Sequence, residues 1–311
     1  MIPFAPELTI RPVDAGDVER LLPLLASHLA QTPYCTALEA ATVVEQILAP
    51  DPPTVFPVRW LQRSQLGAWR ARQLVGFVDV AVGHDSESLA RSEYRPLGLL
   101  RFMALPQDPS LATEVAAALL EAAEHFWRTQ GVGYVRAFHI STGYPVFQVG
   151  AGILPGNWHH HMRALTAAGF QLCERYYCLY RPLARPLEEV TPLALLSLVY
   201  QGNARDRTYQ VYRRTDWVGR ARMVRAVVDE PRGGSMSVAY VADLYVDAPW
   251  RQQDIGKWLL RRLINDATLQ GYVQMVVHLA HGWHAAMNLF IQQGFQELDY
   301  RGYTLEKVLT R

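Results

Sequence analysis

The chain repeats its own plan. A helical stretch from about Thr113 to Gln130 runs into the strand-like GYVRAFHI, and a second from about Asp254 to Gln270 runs into GYVQMVVHL. Each strand is followed by a loop, a short amphipathic helix and an identical tripeptide, Gly169-Phe170-Gln171 and Gly294-Phe295-Gln296. Both glycines fall where the left-handed residue that ends a helix belongs. Aromatic-rich strands follow, CERYYCLYRPL and ELDYRGYTLEKVL. A recurring order of elements requires two copies of one supersecondary unit, and 311 residues are enough for two domains.

Gly133 and Gly169 lie 36 positions apart and Gly271 and Gly294 only 23, so the first copy carries 13 more residues. They fall within PVFQVGAGILPGNWHHH and are expected to form a surface loop. Upstream, Leu8 to Pro12 reads as a strand. Val18 to Leu29 has helical spacing behind Asp14 and Asp17 as caps, and a second helix is expected over Leu38 to Leu48. Val58 to Gln65, Leu74 to Val82 and Leu97 to Ala104 alternate like antiparallel strands. The order is that of an α+β fold, a mixed and mostly antiparallel sheet flanked by helices in each copy.

The proline-spaced RPLARPLEEVTPL, Arg181 to Leu193, is the expected junction, giving domains 1–182 and 183–311. Between it and a strand over Tyr209 to Arg213, the second copy offers one helix, Leu193 to Tyr200, where the first has two.

Thirty Lys plus Arg balance 29 Asp plus Glu, which argues against a nucleic-acid partner. Arg220, Arg222 and Arg225 read as the solvated face of a strand. No apolar stretch approaches the roughly 20 residues of a membrane span. The opening MIPFAPELTIRP has no secretory pattern, and the odd set Cys35, Cys173 and Cys178 suits free thiols in a reducing compartment, so a cytoplasmic location is expected. Cys173 and Cys178 should face opposite ways in one strand.

The segment that carries chemistry is DLYVDAPWRQQDIGKWLLRRLI, Asp243 to Ile264. A strand ends at a proline turn and a helix begins, whose first-turn N–H groups, dipole and Arg251 suit a phosphate. Gly256 allows close backbone approach. The plainer reading is that Gly256 eases helix packing and Arg251 is a surface residue.

This segment resembles the GNAT superfamily of N-acetyltransferases, whose signature is a strand, a proline turn and RxxGxG or RxxGxA opening a helix. HAAMNLFIQQGF resembles the family's later helix. The resemblance implies two tandem GNAT-like domains and acetyl-CoA as co-substrate, held in the second copy by Leu244, Tyr245, Val246, Arg251, Gln252, Gln253, Asp254, Ile255, Gly256, Lys257 and Phe290. It further implies direct transfer of acetyl to the amine of a small acceptor, with the Val246 N–H polarising the thioester carbonyl. Two positions depart from the family. Asp254 stands at the first loop glycine, where it repels phosphate unless it turns outward or caps the helix, and Phe290 stands where many members have a proton-donating tyrosine. In the first copy, Leu111, Glu114 and Ala116 fall at the positions of Arg251, Asp254 and Gly256, and Leu165 at that of Phe290, so that copy is expected to be degenerate.

Asp243, Tyr245 and Asp247 share one strand face, making Asp243 a candidate base and Tyr245 a substitute acid. Asp243 paired with a strand-borne arginine is the structural alternative. His278, His281 and His284 recur every three residues, but they straddle a strand end and a helix start, so no metal is expected. One of them, His281, is a second candidate base. His159, His160 and His161 read as a solvated helix entrance. Trp158, Trp250, Trp258 and Trp283 are pocket or packing residues. A non-catalytic acyl-CoA-binding protein and a scaffold acting through protein contacts remain alternatives to the enzyme, which is expected as monomer or homodimer.

Overall fold

The computed structural model describes residues 7–30, 32–84, 96–144, 146–230 and 233–309. Residues 1–6, part of the segment from which the lack of a secretory signal is read, lie outside them. The chain packs as two compact units, one of Met1–Arg175 with Gly302–Arg311 and one of Tyr176–Arg301.

The first unit holds β1 (Leu8–Pro12), α1 (Val18–Leu29) and α2 (Ala40–Thr42), the last continued by a π-helical turn over Val43–Leu48. Then come β2 (Arg59–Arg70), β3 (Gln73–His84), β4 (Leu97–Ala104), α3 (Pro109–Thr129), β5 (Tyr134–Ala137), β6 (Leu154–Pro155), α4 (His159–Ala167) and the start of β7 (Gln171–Pro182). The second unit continues β7 and adds β8 (Leu196–Gly202), β9 (Asp206–Arg213), β10 (Asp216–Asp229), β11 (Ser235–Val246), α5 (Ile255–Leu269), β12 (Gln274–Ala280), α6 (His284–Gln292) and the start of β13 (Gln296–Val308).

In the first unit the strands order as β1-β2-β3-β4-β5-β13. All pair antiparallel except β4 with β5. Its last strand is the C-terminal end of the chain: Leu305 lies opposite Ala137 and Val308 opposite Tyr134. Leu305 is fully enclosed, and Thr304 Oγ1 donates to Phe138 O at 2.8 Å. The second unit orders as β7-β12-β11-β10-β9-β8, with β11 and β12 the parallel pair. Its outer strand is the end of the first repeat, Tyr176 to Pro182, set against Ala280 to Gln274. The compact units therefore divide within β7 and again within β13, not at Leu183. The proline-spaced stretch belongs to the second unit, where Leu187 N–H donates to Asn265 Oδ1 at 2.6 Å and Leu187 O accepts from Asn265 Nδ2 at 3.0 Å.

Local chemistry explains most elements. In α1, Leu21, Leu25 and Leu29 recur every fourth residue and are buried. Asp14 caps the turn before it by accepting from Gly16 N, whereas Asp17 makes no cap bond and pairs with Arg11 at 3.0 Å. Gly169 and Gly294 adopt φ of 86° and 81°, the left-handed helix ends expected of them. Cys173 is exposed and Cys178 buried, as their odd spacing requires.

Three expectations fail. Leu196–Gly202 is a strand paired with β9, not part of a helix over Leu193 to Tyr200. Leu196 and Leu198 turn to the core while Ser197 and Val199 turn out, so the apolar run takes a period of two. The 13-residue excess is not a solvent loop: Phe147, Ala151, Ile153 and Leu154 are fully buried, and a Cβ on Gly143 would stand 1.7 Å from Gly150 O. His161 is not solvated, being 4% exposed.

The first unit also buries a charge cluster that the pattern of residues did not suggest. Asp79 Oδ2 accepts from Arg63 at 2.9 Å and Arg101 at 3.2 Å, and Arg101 also donates to Gly143 O at 3.0 Å. Among the described residues no helix is long and apolar enough to cross a membrane.

Candidate active site

In the second unit β11 and β12 pair only through Val238–Tyr240 against Gln274–Val276. Beyond Tyr240 the two parallel strands part, while β11 stays paired with β10 as far as Val246 opposite Gly219. Asp247 N–H donates to Val218 O at 2.8 Å. Because backbone groups of successive strand residues alternate in direction, Val246 and Leu244 turn theirs away from β10, into the gap. A bulge between Arg222 and Met223 sets this parity.

The turn after β11 leads directly into α5. From Gln252 to Lys257 no backbone N–H has an acceptor among the described residues; the first to bond is Trp258 N–H, to Asp254 O at 2.9 Å. Arg251 Nε donates to Val246 O at 2.9 Å, tying the cation to the strand end beside these free amides. Gln253 Nε2 holds Pro249 O at 3.2 Å. A run of unfilled N–H groups at a helix start, with the dipole behind it and an arginine beside it, suits an anion.

Asp254 sits at φ 57° and ψ 8°, with no side-chain cap bond. Its backbone is therefore in the left-handed region that favours glycine, and its carboxylate does not serve as a helix cap. Gly256 has room: an added Cβ would meet only Leu289 Cδ2 at 3.5 Å and Val246 Cγ2 at 3.7 Å. Ile255 is buried, and Leu244 and Val246 pack against the same core. Phe290 is 1% exposed and sits edge-on to Phe295 with ring centres 4.9 Å apart.

The structure places the candidate acid and bases on two strands. Asp243 Oδ2 accepts from Arg220 Nε at 2.5 Å, the pairing with a strand-borne arginine that was the structural alternative for this residue. Tyr245 is 38% exposed, and its hydroxyl donates to Asp247 Oδ1 at 3.3 Å. Trp217, which sequence reasoning did not single out, stacks on Tyr245 at 5.7 Å and 19°. His281 is exposed on the loop after β12 and stacks on Tyr177 at 5.5 Å. His278 instead lies buried in β12, where burial holds its pKa down to about 4. The three histidines do not converge: His281 and His284 rings lie 6.1 Å apart, and His278 faces Tyr240. Of the tryptophans, Trp158 and Trp258 are buried, Trp283 is exposed, and Trp250 lies under the Arg213 guanidinium.

The first unit has the same gap between β4 and β5, but its own side chains fill it. Those strands pair only through Gly98–Leu100 and Val135–Ala137. Leu105 N–H donates to His28 Nε2 at 3.1 Å, and His161 Nε2 donates to Met103 O at 3.0 Å. Trp158 packs against both imidazoles, with ring centres 5.0 and 4.6 Å away. Burial pushes His161 down to about 3, and the nearby His28 lowers it further. At the start of α3, Asp108 Oδ1 accepts from Leu111 N–H, and Glu114 is taken up by Arg70.

Residues 174–295 match the model of the acetyltransferase (GNAT) family. That stretch, less than half of the chain, is similar to GNAT domains. No curated protein matches the chain in sequence. Among solved structures, a tandem GNAT protein from the clavulanic acid biosynthesis pathway superposes with a TM-score of 0.65 at 13% identity, covering 98% of this chain and 99% of its own. A GCN5-related N-acetyltransferase from Sphaerobacter thermophilus gives a TM-score of 0.64 at 10% identity, over 99% and 97%. The glucosamine N-acetyltransferase region of a fungal multi-domain β-N-acetylglucosaminidase gives 0.68 at 10% identity, covering 97% of this chain and 38% of that one. At such identities the likeness establishes the fold, which is that of tandem GNAT proteins. The matched family is one of acetyltransferases. The uncapped turn at Arg251–Gly256 lies within the matched residues, and the filled gap between β4 and β5 lies outside them.

Proposed function

We propose that the second unit binds acetyl-CoA and transfers its acetyl group directly to the amine of a small acceptor. The observation that carries this reading is the run of free amides from Gln252 to Lys257 beside Arg251, at the mouth of the gap between β11 and β12. The pyrophosphate would rest on those amides, and Gly256 leaves space for its approach. Asp254 opposes it by charge alone, since its backbone already has the conformation a glycine would adopt.

The thioester would lie in the gap, its carbonyl oxygen toward the Val246 N–H. A fixed N–H donor at that point stabilises the negative charge that develops on oxygen as the amine attacks carbon. The amine must first lose a proton. His281 lies at the end of β12 on the rim of the same gap, where an imidazole nitrogen can accept that proton. Asp243 can take this part only after Arg220 releases it. Tyr245 offers an exposed hydroxyl for returning a proton to the departing thiolate, whereas Phe290 has none and is buried.

The test is thiol release from acetyl-CoA over a panel of small amines, with the His281→Gln variant alongside. Release with at least one amine, slowed about 100-fold or more in the variant, fits the reading, since general bases contribute on the order of 10²–10⁴. Binding of acetyl-CoA without release for any amine would replace it with a non-catalytic acyl-CoA-binding role.

A further inference from the structure

The first unit carries an open groove of about 1080 Å³ at the end of its sheet, where β2 turns into β3 and β4 runs toward α3. Arg20 from α1, Arg70 at the end of β2 and Arg72 in the turn all reach its walls. Among the described residues no Asp or Glu lines it. The rest of the lining is mainly apolar, Leu24, Leu74 and Leu105 among others, with Ser27, Gln73 and Gln107 as its polar members.

The three cations differ in how far they are already neutralised. Arg70 is held by Glu114 at 2.8 Å. Arg20 reaches Asp17 only at 3.5 Å, and Asp17 already takes Arg11 at 3.0 Å. Arg72 has no hydrogen-bond or ion-pair partner among the described residues and stands exposed at the tip of the turn. Two guanidinium groups are thus available above an apolar floor. The groove adjoins the gap between β4 and β5 at Leu105, but Phe138, Trp158 and His161, which lie at that gap, do not line it.

We infer that this groove binds a small organic anion with an apolar body, its charged end between Arg20 and Arg72 and its body against Leu24, Leu74 and Leu105. Guanidinium planes match a carboxylate or phosphate with paired N–H donors, and an apolar floor selects against a bare inorganic ion. This is a site for a second ligand, independent of acyl-CoA in the other unit.

Calorimetric titration of the full chain with octanoate and with octanol tests it. Octanoate should bind at one site, at least tenfold more tightly than octanol. The Arg20→Gln/Arg72→Gln variant should weaken octanoate at least tenfold while leaving acetyl-CoA binding and the circular dichroism spectrum unchanged. Arg251→Ala should leave octanoate binding unchanged. Absence of octanoate binding, equal binding of octanol, or equal binding to the double variant would overturn the inference.

Discussion

Asp108 Oδ1 accepts a hydrogen bond from Leu111 N–H at 2.8 Å, so the first turn of α3 is closed by a carboxylate of the chain itself. Asp254 is likewise the residue just before its helix, α5, and makes no such bond. The backbone decides between them. Asp108 is extended at φ −66° and ψ 120°, the conformation from which an N-cap side chain reaches its helix, whereas Asp254 is left-handed. One helix start is filled from within, and the other is open to an anion.

Asp254→Gly should therefore strengthen acetyl-CoA binding. It removes a like charge from the phosphate site and suits the left-handed backbone. Affinity should rise about three- to tenfold, less at high salt. Stability should be unchanged or rise by up to about 1 kcal/mol, because no cap bond is lost and the cost of a side chain at positive φ is relieved. Calorimetry and urea unfolding measure the two; a loss of stability with unchanged affinity would show Asp254 acting as a cap.

Arg251→Ala removes both the cation and the bond that ties it to Val246 O. A hydrogen-bonded charge contributes about 1.5–3 kcal/mol, so acetyl-CoA affinity should fall about 10- to 100-fold. The same calorimetric titration checks it, and an unchanged affinity would make Arg251 an ordinary surface residue.

Much of this architecture is legible in residues, and the parts that are not have physical causes. The Gly-Phe-Gln repeats mark helix ends because the left-handed turn at Gly169 and Gly294 is a local demand. The segment around Leu196 carries an apolar run that fits either period, and only the neighbouring β9 selects the strand. Which sheet Leu305 joins depends on partners far along the chain, which no local pattern encodes. His161 had a signal that the run of three histidines hid, since it lies four residues before Leu165 and both are buried on one helix face. At the candidate site, spacing alone singles out Arg251 and Gly256. The free amides beside them, the Asp243–Arg220 pair and the closure of the other gap by His28 and His161 depend on bulges and tertiary contacts.

Leu305→Ala should destabilise the first unit by about 2–5 kcal/mol, as expected for a fully enclosed leucine. Native-state hydrogen exchange should show the loss of protection in β4 and β5 more than in β11 and β12. The opposite distribution would contradict the assignment of the chain's last strand to that unit.

Stability should fall with acid because three buried histidines resist protonation in the folded chain. Burial holds His161 at about 3 and His278 at about 4, and lowers His28 as well. In the unfolded chain a histidine titrates near 6.5, so below that pH the unfolded state binds protons that the native state refuses. The stabilising contribution of these neutral histidines is complete above about pH 6.5 and is lost as pH falls toward 4. Each fully buried histidine contributes a slope of up to about 1.4 kcal/mol per pH unit. Urea unfolding between pH 6.5 and 5 measures it, and the slope should shrink in His278→Gln; a flat profile would contradict the neutral, buried assignment.

We propose that the chain offers acyl-CoA one open site, in the unit that carries Arg251, while His28 and His161 close the other. Calorimetric titration of the ligand-free full chain with acetyl-CoA counts the sites. One equivalent bound per chain, weakened by Arg251→Ala and untouched by His161→Gln, is the predicted result. Two equivalents, or none from a folded protein, would contradict it.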